Sequence, residues 1–86
     1  MKTIYIRKMS YINAKREFLN EIEKCFFAGV EQLKVVHGIG DYILRNMVFE
    51  EISKLDYANA RDSDNPGISI VELQPPEPHI LKRYKA

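Results

Sequence analysis

The stretch VVHGIG at residues 35–40 decides how the fold of this chain is interpreted. An apolar strand pattern runs directly into a histidine and two glycines, and a helix-forming segment, DYILR at residues 41–45, follows at once. Glycines permit a tight turn and let a ligand approach the backbone closely. Unpaired N–H groups and the positive end of the helix dipole favour phosphate at a helix start. The stretch therefore predicts an anion-binding turn, although an ordinary strand-to-helix turn has the same pattern.

Upstream of this turn the sequence predicts a strand and a long helix. TIYI at residues 3–6 is rich in β-branched and aromatic residues. Ser10 is a favourable N-cap, because its oxygen can accept from an N–H group at a helix start. Apolar residues at steps of three and four then predict a helix over residues 11–28, which Gly29 would end. Its buried face comprises Ala14, Phe18, Ile22, Cys25 and Phe26.

Downstream the pattern predicts a helix and a pair of strands. Residues 33–36 form the strand that enters the glycine turn, and Asp41 is the expected cap of the helix that follows. Residues 57–61 and 68–73 predict two strands, separated by the turn sequence DSDNPG at residues 62–67. The buried stripe of the second helix comprises Leu44, Met47, Val48, Ile52 and Leu55.

The element order β-α-β-α-β-β defines the fold class. A β-α-β unit joins parallel strands by a crossover, and the tight turn between the last two strands predicts a hairpin. We therefore predict an α/β fold, a two-layer α/β sandwich with a mixed four-stranded sheet and both helices on one face. Ligands of such sheets gather at the carboxyl ends of the strands, where Arg7, His37 and Gly38 would lie.

Composition limits the classes of function. Eighty-six residues make one domain with a modest core, and the formal net charge of +1 excludes a strongly basic nucleic-acid-binding protein. The charge is uneven, since residues 1–34 hold seven Lys/Arg against four Glu and residues 35–73 hold three against seven acidic residues. Such a chain can still present one basic face. A single cysteine, Cys25, excludes an internal disulfide framework and a Cys-rich zinc site.

The C-terminal segment differs in composition from the rest. We predict a folded domain over residues 1–73 and a Pro-rich, basic tail over residues 74–86, extended or disordered and able to dock on a protein partner. No segment approaches the roughly 18 apolar residues that span a bilayer. The N-terminal apolar run is too short for a signal peptide. We therefore expect no membrane association and a cytoplasmic location.

The glycine turn and its flanks resemble a known family. Residues 28–40, AGVEQLKVVHGIG, followed by Leu44 and Arg45, resemble the core of the Smr domain, the small MutS-related module. The closing strand and the Asp/Asn/Gly-rich hairpin extend the resemblance over nearly the whole of residues 1–73, which makes them an Smr-like domain. The resemblance implies a fold similar to the C-terminal domain of bacterial translation initiation factor three. It also implies binding of DNA or RNA, which several members nick or cleave.

The first family motif, H-G-x-G-x-G, is matched in part. His37, Gly38 and Gly40 occupy its first positions, and Tyr42 stands where the third glycine should be. The bulkier side chain could narrow the turn, stack on a base as aromatic residues do in single-strand sites, or pack in the first helical turn. Arg45 could reach the anion site, although a surface ion pair with Asp41 competes with that role.

The second family motif, L-D-L-[HR]-G, is degenerate. Its positions fall on residues 4–8, IYIRK, where Arg7 matches, Tyr5 replaces the aspartate and Lys8 replaces the glycine. A carboxylate can act as a general base or hold a metal, whereas a phenol with a pKa near 10 does neither well at neutral pH. Both changes place more positive charge beside His37. They therefore favour holding phosphate over cutting it.

The resemblance implies a domain that binds nucleic acid and nicks it weakly or not at all. Its implied phosphate-binding and nucleic-acid-binding residues are Arg7, Lys8, His37, Gly38, Gly40, Tyr42 and Arg45. If the domain is active, His37 and Arg7 are the catalytic residues and a divalent metal is the cofactor, with no metal ligands identified. Two alternatives stay open. His37 could simply bond to nearby backbone, and the motif losses are also compatible with a protein-interaction module that no longer binds or cleaves nucleic acid.

Overall fold

The computed structural model describes residues 1–40 and 42–75. Two helices and four strands follow one another in the predicted order. They are β1 (Lys2–Tyr5), α1 (Tyr11–Phe27), β2 (Gln32–Val36), α2 (Ile43–Ser53), β3 (Ala58–Asp62) and β4 (Ile68–Leu73). Asp41 and residues 76–86, which hold most of the predicted tail and its partner-docking segment, lie outside the described residues.

The strands form one mixed sheet in the order β1-β2-β4-β3. β1 and β2 are parallel, so their carboxyl ends meet at the same edge of the sheet. β4 lies between β2 and β3 and runs antiparallel to both, which confirms the predicted hairpin. The α/β class and the mixed four-stranded sheet are therefore confirmed, and β4 brings the hairpin turn to the edge where β2 ends.

The ends of α1 follow from local chemistry. Ser10 is the N-cap, and its hydroxyl oxygen accepts from the Asn13 N–H at 3.3 Å. At the other end Gly29 has a φ of +78°, and the Val30 N–H donates to the Cys25 carbonyl at 3.0 Å. This left-handed glycine with a bond reaching back over the last turn is a common helix ending. The helix ends one residue earlier than predicted.

Both helices pack on one face of the sheet. The apolar residues that point from the strands to this face join the buried faces of α1 and α2 in a single cluster. Its fully buried centre is Phe18, whose truncation to alanine would cost about 3–5 kcal/mol. The opposite face of the sheet exposes Tyr5 and Lys34. The predicted stripe of α1 is confirmed, and so are Met47, Val48 and Ile52 of α2. Leu44 is only partly buried, and Leu55, also partly buried, was wrongly assigned to the stripe because α2 ends at Ser53.

Several element boundaries were wrong by one residue. β1 runs from Lys2 to Tyr5 and β3 from Ala58 to Asp62, so Asp62 belongs to a strand and not to the turn. Tyr57 directly precedes β3, and its ring stacks on that of Phe26, with ring centroids 3.9 Å apart. The N-cap of α2 is Tyr42, one residue beyond the predicted Asp41, and its side chain makes no capping bond. Within the described ranges, no helix combines the length and apolarity needed to cross a membrane.

Candidate functional site

A cleft of about 730 Å³ opens at the carboxyl edge of β1 and β2. It lies between the turn after β1, the glycine turn after β2, the start of α2 and the hairpin turn. All seven residues that the sequence put forward line it, namely Arg7, Lys8, His37, Gly38, Gly40, Tyr42 and Arg45. The fold therefore brings the two family motifs together in one place, while the roles of these residues stay predictions.

The turns after β1 and β2 touch at Gly38. The Ile6 and Arg7 N–H groups both donate to the Val36 carbonyl, at 3.0 and 3.1 Å, which continues the strand pairing into the turn. Gly38 has a φ of +83°, and a Cβ at this position would lie 3.2 Å from Arg7 Cγ. Glycine is therefore favoured here, because it adopts this backbone without strain and leaves room for the Arg7 side chain. The stem of Arg7 rests directly on the glycine turn.

The hairpin turn closes the other side of the glycine turn. The Gly67 carbonyl accepts from the N–H groups of both His37 and Gly38, each at 3.0 Å. Gly67 is itself positioned by Asn65, whose Oδ1 accepts from the Gly67 N–H at 2.8 Å. These contacts use two of the backbone donors that were expected to hold an anion. An anion in this cleft therefore depends chiefly on charged side chains.

His37 is buried and bonded on both sides of its ring. Its Nδ1 lies 2.7 Å from the Gly38 carbonyl, which can only accept, so Nδ1 carries the proton. Its Nε2 lies 2.8 Å from Ser69 Oγ and accepts from that hydroxyl when the ring is neutral.

These surroundings keep the His37 ring neutral. Burial lowers the pKa of His37, the bond to Gly38 raises it, and the charge of Arg45 lowers it further. With both ring nitrogens hydrogen-bonded, the neutral His37 ring stabilises the glycine turn. It would have to break one of these hydrogen bonds to exchange a proton with another group. This is the backbone-bonding arrangement that the sequence left open as an alternative.

Ser69 was missed by the sequence analysis. It lies in β4 and is fully buried. Among residues 1–40 and 42–75, its side chain forms a hydrogen bond with that of His37, 32 positions away. A buried hydroxyl needs a hydrogen-bond partner. The one available signal was a small polar residue inside the otherwise apolar run ISIV, and that signal does not identify its partner.

Arg7 and Lys8 supply the positive charge of the cleft. Both are exposed, and neither has an ion-pair partner among residues 1–40 and 42–75. Lys8 has a φ of +67° and Tyr42 a φ of +64°. These are the two positions where this chain replaces a motif glycine, so both turns keep a left-handed backbone despite the replacement. Each replacement costs about 1–2 kcal/mol in backbone strain.

Arg45 points to a different partner from the one predicted. Its Nε and Nη2 both donate to Asp62 Oδ1, at 3.0 and 2.7 Å, which ties α2 to the end of β3. The guanidinium carbon also lies 4.3 Å from the centre of the Phe49 ring and 6.0 Å from that of Tyr42. Arg45 lines the cleft, but its charge is engaged by Asp62. The ion pair predicted with Asp41 falls outside the described residues.

The cleft has no acidic group among its described lining residues. Tyr5, at the position of the motif aspartate, is 70% exposed and does not line the cleft. Over residues 1–40 and 42–75, no group of three or more His, Cys, Asp or Glu side chains could hold a metal ion. The described residues thus supply cations and apolar surface, and neither a carboxylate base nor a protein metal cage.

Comparisons with known proteins agree with this geometry. The chain is similar in fold to the crystal structure of the Smr domain of Thermus thermophilus MutS2, with a TM-score of 0.81 and 22% sequence identity, over 87% of this chain and 100% of that one. No curated protein sequence matches. The family model described as Smr domain matches residues 4–74. Since that match spans most of the chain, this protein belongs to the Smr domain family.

Proposed function

We propose that this chain binds the phosphate backbone of nucleic acid in the cleft and cleaves it weakly or not at all. Membership of the Smr family supports a nucleic-acid-binding or nuclease-type module in general. The observation that carries the proposal is the pair of exposed cations, Arg7 and Lys8, with no ion-pair partner in the described parts of the chain. Unpaired cations are available to replace the counterions of phosphate.

Arg7 is the stronger of the two contacts in this proposal. A guanidinium can donate two parallel hydrogen bonds to one phosphate, whereas the Lys8 ammonium acts as a point charge. The stem of Arg7 rests on Gly38, with Cγ 3.2 Å from where a Cβ of that residue would be. Contact with rigid backbone restricts the side chain before binding, so less conformational entropy is lost when phosphate arrives.

Weak cleavage follows from what the described lining lacks. A general base must reach the proton that it removes, and both nitrogens of His37 are bonded within the protein. The carboxylate of the first-strand motif is replaced by Tyr5, whose side chain lies outside the cleft. Phosphate contacts from Arg7 and Lys8 position a nucleic acid without supplying proton transfer.

Binding across salt concentrations tests the proposal. The assay is fluorescence anisotropy with a labelled, mixed-sequence oligonucleotide, comparing wild type, Arg7→Ala and Lys34→Ala. Arg7→Ala should weaken binding about 10-fold, because a hydrogen bond to a charged group contributes about 1.5–3 kcal/mol. It should also lower the slope of log K against log salt by about 0.7–0.9. Lys34→Ala removes the same charge from the outer sheet face and should change the affinity less than about 2-fold.

Three results would contradict the proposal. One is no binding at concentrations up to about 100 μM, the weak end of nonspecific affinities. Another is binding that does not respond to salt, since phosphate contacts release counterions. The third is an equal loss for Arg7→Ala and Lys34→Ala, which would place the contact outside the cleft.

A further inference from the structure

Exposed apolar side chains surround the cations of the cleft. Tyr42 is 40% exposed and Tyr11 is 43% exposed, and Ile39 and Ile43 beside them are each more than half exposed. All four line the cleft that holds Arg7. Phosphate contacts alone have no use for apolar surface, and a contiguous exposed apolar patch marks a binding surface. The nucleic acid proposed above must therefore present something other than its backbone here.

The two tyrosines stand at the starts of the two helices and both line the cleft that holds Arg7 and Lys8. Tyr11 opens α1 after the turn that follows β1, and Tyr42 caps α2 after the turn that follows β2. Within the described ranges, neither ring stacks on another aromatic ring, and the Arg45 guanidinium carbon lies 6.0 Å from the centre of the Tyr42 ring. Each ring therefore keeps surface on which a base could stack.

Charge on the far side of Tyr42 limits where phosphates can go. A second pocket shares Tyr42 and Arg45 with the cleft, and its other lining residues are mostly polar or acidic, including Asp62 and Asp64. Arg45 pairs with Asp62, whereas Asp64 has no ion pair within the described residues. The positively charged surface formed by Arg7 and Lys8 is thus bordered by carboxylates on the far side of Tyr42. A duplex carries twice as many phosphate charges per unit length as one of its strands, so these carboxylates should repel a duplex more than a single strand.

We propose that Tyr11 and Tyr42 stack on unpaired bases while Arg7 and Lys8 hold the adjoining phosphates, so that the cleft selects single-stranded nucleic acid over duplex. This inference rests on the proposed function. Bases in a duplex are stacked on one another, whereas unpaired bases offer their faces to aromatic side chains. Tyr42 stands in place of a motif glycine, so this recognition belongs to this chain and not to the motif.

The test compares one labelled strand of about 12 nucleotides with the same strand annealed to its complement. The single strand should bind at least about 10-fold tighter than the duplex, because stacking on one aromatic residue contributes about 1–3 kcal/mol. Tyr42→Leu keeps an apolar side chain and the same backbone strain, and it should weaken single-strand binding about 10-fold while leaving duplex binding unchanged. Tyr42→Phe should retain wild-type affinity. Tyr5→Leu, an exposed tyrosine outside the cleft, is the control and should have no effect.

The outcomes separate this inference from the proposed function. Equal affinity for strand and duplex, with a normal salt response, would overturn the inference and leave phosphate binding in place. Equal losses for Tyr42→Leu and Tyr42→Phe would also overturn it, because the ring would not be what is recognised. Absence of binding to either nucleic acid would overturn both proposals. The exposed apolar residues of the cleft would then be better explained as a surface for a protein partner. A circular dichroism melt confirms that each variant is folded.

Discussion

Replacing Gly38 by alanine tests whether the glycine turn positions Arg7. Gly38 has a φ of +83°, and the new Cβ would lie 3.2 Å from Arg7 Cγ. The exposed arginine stem would have to move by a few tenths of an ångström to relieve that contact. Gly29→Ala is the matched control, because Gly29 has nearly the same φ, +78°, and open space where its Cβ would be.

The two alanines should cost similar stability and differ in binding. A left-handed backbone costs a non-glycine residue about 1–2 kcal/mol, so each variant should lose about that much. For a domain of this size, 1 kcal/mol lowers the melting temperature by about 4–8 °C. Only Gly38→Ala displaces Arg7. It should therefore weaken oligonucleotide binding about 3-fold, equivalent to about 0.7 kcal/mol, whereas Gly29→Ala should leave the affinity unchanged.

Urea denaturation and anisotropy with the same labelled oligonucleotide provide the measurements. Binding is measured well below the melting temperature, so that both variants are folded. Wild-type affinity in folded Gly38→Ala would refute the claim that this turn positions Arg7. Equal losses of affinity in both variants would show that instability, and not the arginine contact, weakens binding. Loss of stability in neither variant would contradict the left-handed turns themselves.

Three further predictions concern His37, Lys8 and cleavage. Burial lowers the pKa of His37 in the folded protein, so the unfolded chain binds more protons at this residue as the pH falls. The contribution of His37 to the free energy of unfolding is therefore full above pH about 6.5, the pKa of an unperturbed histidine, and is lost as the pH falls below that value. The urea midpoint should fall from pH about 7.5 to 5.5, and His37→Gln should flatten this fall. Lys8→Gly should stabilise the fold by about 0.5–1 kcal/mol in the same assay, because relief of the strain at φ +67° exceeds the entropy cost of glycine. Wild-type protein should nick a supercoiled plasmid little with Mg²⁺ or Mn²⁺, and no more than with EDTA, because the described lining has no carboxylate and His37 is bonded on both sides.

Each of these predictions has a clear contrary result. A urea midpoint that rises as the pH falls would mean that His37 is charged in the folded protein. A Lys8→Gly variant less stable than wild type would mean that the lysine side chain contributes more than its backbone strain costs. Brisk metal-dependent nicking that His37→Ala abolishes would show that the first-strand carboxylate is dispensable. Nicking that survives His37→Ala would indicate a contaminating nuclease.

Local patterns predicted the elements, and this follows from how helices and turns form. Ser10 and Gly29 act on groups within five residues of themselves, so the sequence alone located the ends of α1 to within one residue. The apolar steps of α1 and α2 identified their buried faces because periodicity directly reflects which side meets the core. The parallel motif strands predicted that Arg7, His37 and Gly38 lie at one edge of the sheet, because the carboxyl ends of parallel strands meet there.

The contacts that decide the chemistry of the cleft could not be predicted this way. The partner of His37 is Ser69, 32 residues away, and the partner of Arg45 is Asp62, 17 residues away. Both depend on β4 lying between β2 and β3, a pairing that no local pattern specifies. The Gly67 carbonyl occupies two turn amides for the same reason. The sequence therefore predicted residues that line the cleft, but not which of their donors and charges are already engaged.

Chemical shift mapping can locate the bound oligonucleotide on the protein residue by residue. When the ¹⁵N-labelled protein is titrated with a single-stranded oligonucleotide, we expect the largest shifts at the Nε–H of Arg7 and at the backbone amides of Gly40 and Tyr42, growing weaker as salt is added. Amides on the outer face of the sheet, at Lys34 and Arg61, should stay unchanged. Shifts centred on that outer face, or none at all, would contradict nucleic-acid binding in the cleft.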